Sequence, residues 1–258
     1  MIVDVNGLQV KCELLGNGNN NILMLHGWGC SSVHFREIAE KLSGGYRLLI
    51  PDLPGHGMTG QPSVPWGVDE YTECVLRIME SAGFDRCSVI AHSFGGRIAL
   101  KLASMHPEKV DKMILTGCAG LKKPKTPEQE KQEQEYQRKK ERLIRIGRLP
   151  LLKQYSAVML EDLRNRYGSA DYNALAPGMR ETFIRIISED LRPCLNRIQC
   201  PVLLIWGRND QDTPLWMGET MEKEIPDAGL VVFDNDDHFA YLHQWTRFTI
   251  IAESFLKS

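Results

Sequence analysis

The sequence predicts an α/β fold, a doubly wound and mostly parallel sheet with an inserted helical cap. Three observations carry this expectation. Short apolar runs recur along the chain, segments with helical spacing separate them, and one long stretch interrupts the alternation with no such run. Strand alternating with helix reads as parallel βαβ units whose strands are buried on both faces.

The first fifteen residues read as two short strands about Asn6-Gly7, a dipeptide that favours the tight hairpin turn, so the chain should open with an antiparallel edge. The run "NILMLHG" (21–27) is continuously apolar and stops at glycine, as a fully buried strand does. "YRLLIPD" (46–52), "CSVIAHS" (87–93), "KMILTGC" (112–118), "PVLLIWG" (201–207) and "GLVVFDN" (229–235) repeat the pattern. Helical spacing fills 32–42, 68–82, 94–105, 214–225 and 239–256.

From Lys122 to about Asp190 no buried-strand run appears. For 122–135 two readings stand side by side, a charged linker or a solvated helix. Opposite charges four apart, Glu135–Lys139 and Glu141–Arg145, support the helix. "LLKQYSAVMLEDL" and "MRETFIRIISEDL" then place apolar residues at helical spacing, too apolar for a linker. The expected division is a core of 1–121 and 191–258 with a helical cap at 122–190. The insert carries 15 basic and 11 acidic residues of the chain's 31 and 33, so the strand-bearing remainder is the acidic part.

At 258 residues, 43% apolar and 25% charged, the chain is long enough for one large α/β domain plus an insertion. A net charge of -2 argues against nucleic acid or an anionic membrane surface as partner. No stretch approaches the roughly 18 apolar residues that span a bilayer. "MIVDVNGLQVKCELLG" lacks the basic and then apolar pattern of a signal peptide. The seven cysteines form no Cys-x-x-Cys pair, which points to reduced thiols and a cytoplasmic protein. No His/Cys/Asp cluster has ligand spacing, so no metal is expected. No Gly-x-Gly-x-x-Gly follows a strand, so no nucleotide cofactor is expected either.

In an open parallel sheet, ligands bind beyond the carboxyl ends of the strands. The chemistry-bearing residues fall there: His26-Gly27-Trp28-Gly29, Ser93, Asp210 and His238 each follow a predicted strand. Ser93 could be an ordinary N-cap. It could also be a nucleophile, held where a strand turns sharply into a helix between small residues, Ala91 before it and Gly95 and Gly96 after it. A serine hydroxyl needs a base within reach, and the base needs an orienting carboxylate.

On "HGWG" (26–29), "PDLPGHG" (51–57), "AHSFGG" (91–96), "WGRNDQDTP" (206–214) and "DDHFAYLH" (236–243), the chain resembles the α/β-hydrolase superfamily, in its lid-bearing serine-hydrolase branch. Nearly the whole chain takes part, the insert least. Two positions depart from the usual pattern: Ala91 stands where glycine is common, and Asp237 precedes the histidine where glycine is frequent. The order Ser93, Asp210, His238 is the serine–acid–histidine order of that fold. The resemblance implies that the backbone N–H groups of Trp28 and Phe94 form an oxyanion hole. Asp212, Asp236 and Asp237 are the competing acids; Asp210 matches the family's turn after the strand. Among the other histidines, His92 is expected to pack or hydrogen-bond locally, His26 to brace the oxyanion loop, His56 to be structural, and His243 to line the pocket or pack.

The expected activity is cleavage of a small-molecule ester, thioester or related acyl bond through an acyl-enzyme on Ser93, as in a carboxylesterase. A carbon–carbon bond hydrolase, or a menaquinone-pathway-type lyase using the triad as a base, is the alternative. A hydrolase-fold small-molecule receptor with weak turnover is the third reading. Fold alone does not choose among them. The expected partner is a small acyl substrate; the oligomeric state is left open.

Overall fold

The computed structural model of the protein describes residues 1–122, 126–167 and 175–258. Eight strands form one sheet: β1 (Ile2–Val5), β2 (Leu8–Leu15), β3 (Asn20–Leu25), β4 (Tyr46–Pro51), β5 (Cys87–His92), β6 (Val110–Thr116), β7 (Val202–Gly207) and β8 (Ala228–Phe233). Their spatial order is β1-β2-β4-β3-β5-β6-β7-β8. β1 and β2 pair antiparallel, as do β2 and β4, and every later pairing is parallel. Asn6 (φ 55) and Gly7 (φ 87) make the opening turn, two consecutive positive φ values of the kind that match strand twist.

The strands bury both faces because their apolar side chains alternate sides. Leu23, Leu25, Val89, Ala91, Leu115 and Leu204 belong to one core. Ile22, Met24, Ile90, Ile114 and Ile205, the residues between them, belong to the other. The first core is closed by α2 (Val68–Ser81), α3 (Phe94–Met105) and α8 (Trp216–Glu224). The second is closed by α1 (Arg36–Leu42) and α10 (Trp245–Lys257), with Tyr241 from the short α9 (Ala240–His243). The result is a helix–sheet–helix sandwich that delivers its strand ends to one rim.

The chain divides into two compact units, Met1–Leu121 with Ile184–Ser258, and Lys122–Phe183. The second unit contains α4 (Pro127–Gly147), α5 (Lys153–Tyr167) and the start of α6 (Pro177–Ser188). Its boundary falls seven residues before the expected Asp190, because α6 runs on into the first unit. The one-turn α7 (Arg192–Leu195) follows and returns the chain to β7. Within 122–135 the helical reading holds from Pro127 onward: Thr126 caps the Gln129 amide and proline takes the first helical turn. Residues 123–125 and 168–174 of the expected insert lie outside the described residues. Lys139 pairs with Glu135 at 2.7 Å, whereas Glu141–Arg145 is not among the ion pairs of the described residues.

Candidate active site

Ser93 sits between β5 and α3 with φ 50 and ψ -109. Apart from the hairpin's Asn6, it is the one described non-glycine residue with positive φ. Such a conformation costs about 1–3 kcal/mol and survives only where the surroundings enforce it. They do so through Ser93 N–H donating to Thr116 O (3.1 Å), and through Ser93 O accepting from Gly96 and Ala119 (3.0 and 3.1 Å). The side chain makes no capping bond to α3, so the N-cap role is not the one it plays. Its flanking glycines are steric requirements. A Cβ at Gly95 would fall 2.2 Å from Leu25 O, and one at Gly96 would fall 2.3 Å from Cys118 Sγ. Ala91 is fully buried in the first core, which accommodates its methyl group where glycine was the common choice.

Asp210, after β7, and His238, after β8, meet at the same rim: His238 Nδ1 lies 2.7 Å from Asp210 Oδ2. Both residues are buried. A carboxylate oxygen accepts, so His238 donates to it from Nδ1. Asp210 is held by four donors. The amides of Asp212 and Thr213 reach Oδ1 (2.9 and 2.8 Å), while the Thr213 hydroxyl (2.8 Å) and His238 reach Oδ2. Asp212 thus reaches Asp210 through its main chain. Gly117, at the end of β6, leaves room for the pair: a Cβ there would lie 3.1 Å from His238 Nδ1.

The loop "HGWG" is tied to "PDLPGHG". His26 Nε2 accepts from Leu53 N–H (2.9 Å), and its Nδ1 then donates to Gly27 O (2.8 Å). Burial lowers the His26 pKa to about 3, so the ring is neutral. Asp52 takes the amides of Ser32 (2.7 Å) and Met58 (2.8 Å), which fixes both loop ends. Trp28 stands edge-on to His56 (4.7 Å) and Phe94 (5.3 Å), an aromatic wall beside the elbow. Phe94 is the first residue of α3, where an amide has no acceptor within the helix.

One sequence expectation is revised. His243 does not pack in the core; it is half exposed and pairs with Asp236 (2.7 Å). Asp236 also takes the Gln244 amide group (2.7 Å) and the Asp237 main-chain N–H (3.1 Å), closing the loop that carries His238. Burial pushes the Asp236 carboxyl up, but these hydrogen bonds outweigh it and hold the group below its ordinary value. Asp237 is exposed and caps the Phe239 amide (2.9 Å). Thr213 and Gly117 were not singled out from sequence. Thr213 lies inside the quoted "DQDTP", yet nothing in a lone threonine announces a partner three residues upstream. Asp210, Asp212 and His238, and likewise Asp236, Asp237 and His243, bring ligand-type atoms within 4.8 Å of one another. Asp210 and Asp236 already accept several hydrogen bonds, some of which a cation would have to displace.

Among known proteins, a family profile described as "alpha/beta hydrolase fold" matches residues 20–243. The chain is 28% identical over 249 residues to a pimeloyl-[acyl-carrier protein] methyl ester esterase of Nitrosomonas europaea, covering 90% of this chain and 94% of that one. It is also 28% identical over 262 residues to a 2-hydroxy-6-oxo-6-phenylhexa-2,4-dienoate hydrolase of Burkholderia cepacia, covering 91% and 87%. In structure it is similar to an enol-lactonase from Burkholderia xenovorans, with TM-score 0.75, 21% identity and full coverage of both chains. An esterase from Exiguobacterium antarcticum gives TM-score 0.75 at 23% identity, covering 100% of this chain and 99% of that one. With the sheet order, the strained serine turn and a profile match across most of its length, the chain belongs to the α/β-hydrolase fold family.

Proposed function

We propose that this protein is a serine hydrolase that cleaves a small-molecule ester, thioester or related acyl bond through an acyl-enzyme on Ser93. The observation that carries the reading is the strained Ser93 turn on the rim that also holds the 2.7 Å His238–Asp210 pair. Ser93 Oγ attacks the carbonyl carbon while His238 Nε2 takes its proton. Asp210 keeps the imidazole in that tautomer and stabilises the imidazolium. The amides of Trp28 and Phe94 donate to the oxyanion of the tetrahedral intermediate. Collapse expels the alcohol or thiol with the proton from His238, and water then resolves the ester on Ser93 by the reverse sequence. The helical unit Lys122–Phe183 is assigned as the cap that selects among acyl groups. Seven free cysteines suit a cytoplasmic enzyme, and no described helix is long and apolar enough to cross a membrane.

An ester substrate is favoured by likeness to the methyl ester esterase. Equal identity to the dienoate hydrolase supports carbon–carbon cleavage as the second reading. A fluorophosphonate should label Ser93 covalently, and Ser93→Ala should abolish labelling; undiminished labelling of the alanine variant sinks the assignment. Methyl esters, thioesters and vinylogous diketones, each tested with wild type and Ser93→Ala, then separate the two readings.

A further inference from the structure

His92 lies directly before Ser93, and its side chain is 1% exposed. Its Nε2 is 3.0 Å from the main-chain oxygen of His238. A carbonyl oxygen only accepts, so Nε2 carries the proton and donates. The other nitrogen, Nδ1, is buried with no hydrogen-bond partner among the described residues. It faces Gly27 so closely that a Cβ there would come within 2.7 Å of it. The ring also stands against those of His238 (4.7 Å), Phe239 (5.2 Å) and Tyr241 (4.6 Å). One imidazole therefore touches three segments distant in sequence: the loop bearing Trp28, the serine turn, and the loop bearing His238.

We infer that His92 is a positioning residue that sets the register between Ser93, His238 and the Gly27-Trp28 loop, as a neutral imidazole donating from Nε2 to His238 O. The inference rests on the reading of His238 as the base. Its chemistry is specific, because the donor must stand at Nε2 and the ring nitrogen facing Gly27 must carry no hydrogen. Packing alone would ask only for a flat apolar side chain.

Glutamine places its amide nitrogen near the position of Nε2, whereas the shorter asparagine reaches only the position of Nδ1. With p-nitrophenyl acetate as probe, kcat of His92→Asn and His92→Ala should fall about ten-fold or more, the scale of one buried hydrogen bond, with KM changed little. His92→Gln should recover most of that loss. Wild-type kcat in folded His92→Ala overturns the inference, as does equal loss in the Gln and Asn variants in step with their melting temperatures. A measurement on the wild type needs no variant to fold. Nitrogen NMR of histidine-labelled protein should show a neutral Nε2–H tautomer from about pH 5.5 to about pH 8, and an Nδ1–H tautomer or an imidazolium there overturns it. His238→Ala separates the two levels. If it keeps wild-type activity, the base assignment itself fails; if it is inactive while His92→Asn is fully active, only the His92 inference fails.

Discussion

At the scale of single residues, the acid end of the proposed triad is a four-donor cradle rather than a lone carboxylate. Thr213 supplies its amide and one hydroxyl proton, shared between Asp210 Oδ2 (2.8 Å) and Gly117 O (2.9 Å), and its Oγ1 is also 3.2 Å from His238 Nδ1. Asp210→Asn should lower turnover by several orders of magnitude, because an amide there selects the wrong imidazole tautomer. Asp212→Asn should be mild, since Asp212 contributes its main-chain N–H. The reverse ranking in steady-state kinetics would move the acid two residues along. Thr213→Val keeps the shape and removes the hydroxyl, so kcat should fall about ten-fold, the scale of a hydrogen bond to a charged group. Thr213→Ser should restore most of it. Unchanged kcat in the valine variant would show that the two main-chain amides suffice to orient Asp210.

At the scale of elements, the junction of β5 with α3 decides where the site is. α3 approaches β3 so closely that Gly95 packs against the Leu25 carbonyl. Gly95→Ala raises helix propensity by up to about 1 kcal/mol, but the 2.2 Å clash forces strand and helix apart. Its denaturation midpoint should drop clearly, whereas Gly45→Ala, with nothing within 4 Å of the added Cβ, should stay near wild type. Equal midpoints would mean that the junction yields more easily than its packing implies. The helical unit makes a separate test. Replacing 122–183 with a short flexible linker should leave a sheet unit that still reacts at Ser93 with a small fluorophosphonate, while selectivity among larger acyl groups collapses. A folded variant, by circular dichroism, with unchanged substrate ranking would place specificity in the sheet-domain loops.

At the scale of the whole molecule, burial keeps several histidines and most of the thiols neutral. Burial lowers the pKa values of His26, His56 and His92 from 6.5, that of His26 to about 3. Below about pH 6.5 the unfolded chain therefore binds protons that the folded one refuses. Stability is full above that pH and is lost as pH falls toward each histidine's lowered pKa, about 3 for His26, by up to about 1.4 kcal/mol per unit. Asp236, held below its ordinary value, adds loss in the same direction at the acid end. Urea midpoints measured from pH 7.5 down to about pH 5 should decline steadily, and a flat profile would contradict neutral buried histidines. The thiols follow the same physics. Burial pushes Cys12, Cys74, Cys87 and Cys118 up to about 12, and Cys30 and Cys200 up to about 11. Ellman's reagent should find at most the half-buried Cys194 quickly in native protein, and all seven after denaturation.

The alternation of elements, the opening hairpin, the strand-ending positions of His26, Ser93, Asp210 and His238, and the family resemblance were all legible in the sequence. These are local properties: a buried strand is a run of apolar residues, a sharp turn needs small neighbours, and both can be read within a few positions. Tertiary structure decided which groups meet. Thr213 and Gly117 around Asp210, His92 beneath His238, and Asp236 with His243 closing the histidine loop are contacts between the ends of different strands. Their partners are set by sheet order and register, which no local pattern encodes. The same distinction explains His243: helical spacing put it on a helix, but only the folded loop after β8 put Asp236 beside it.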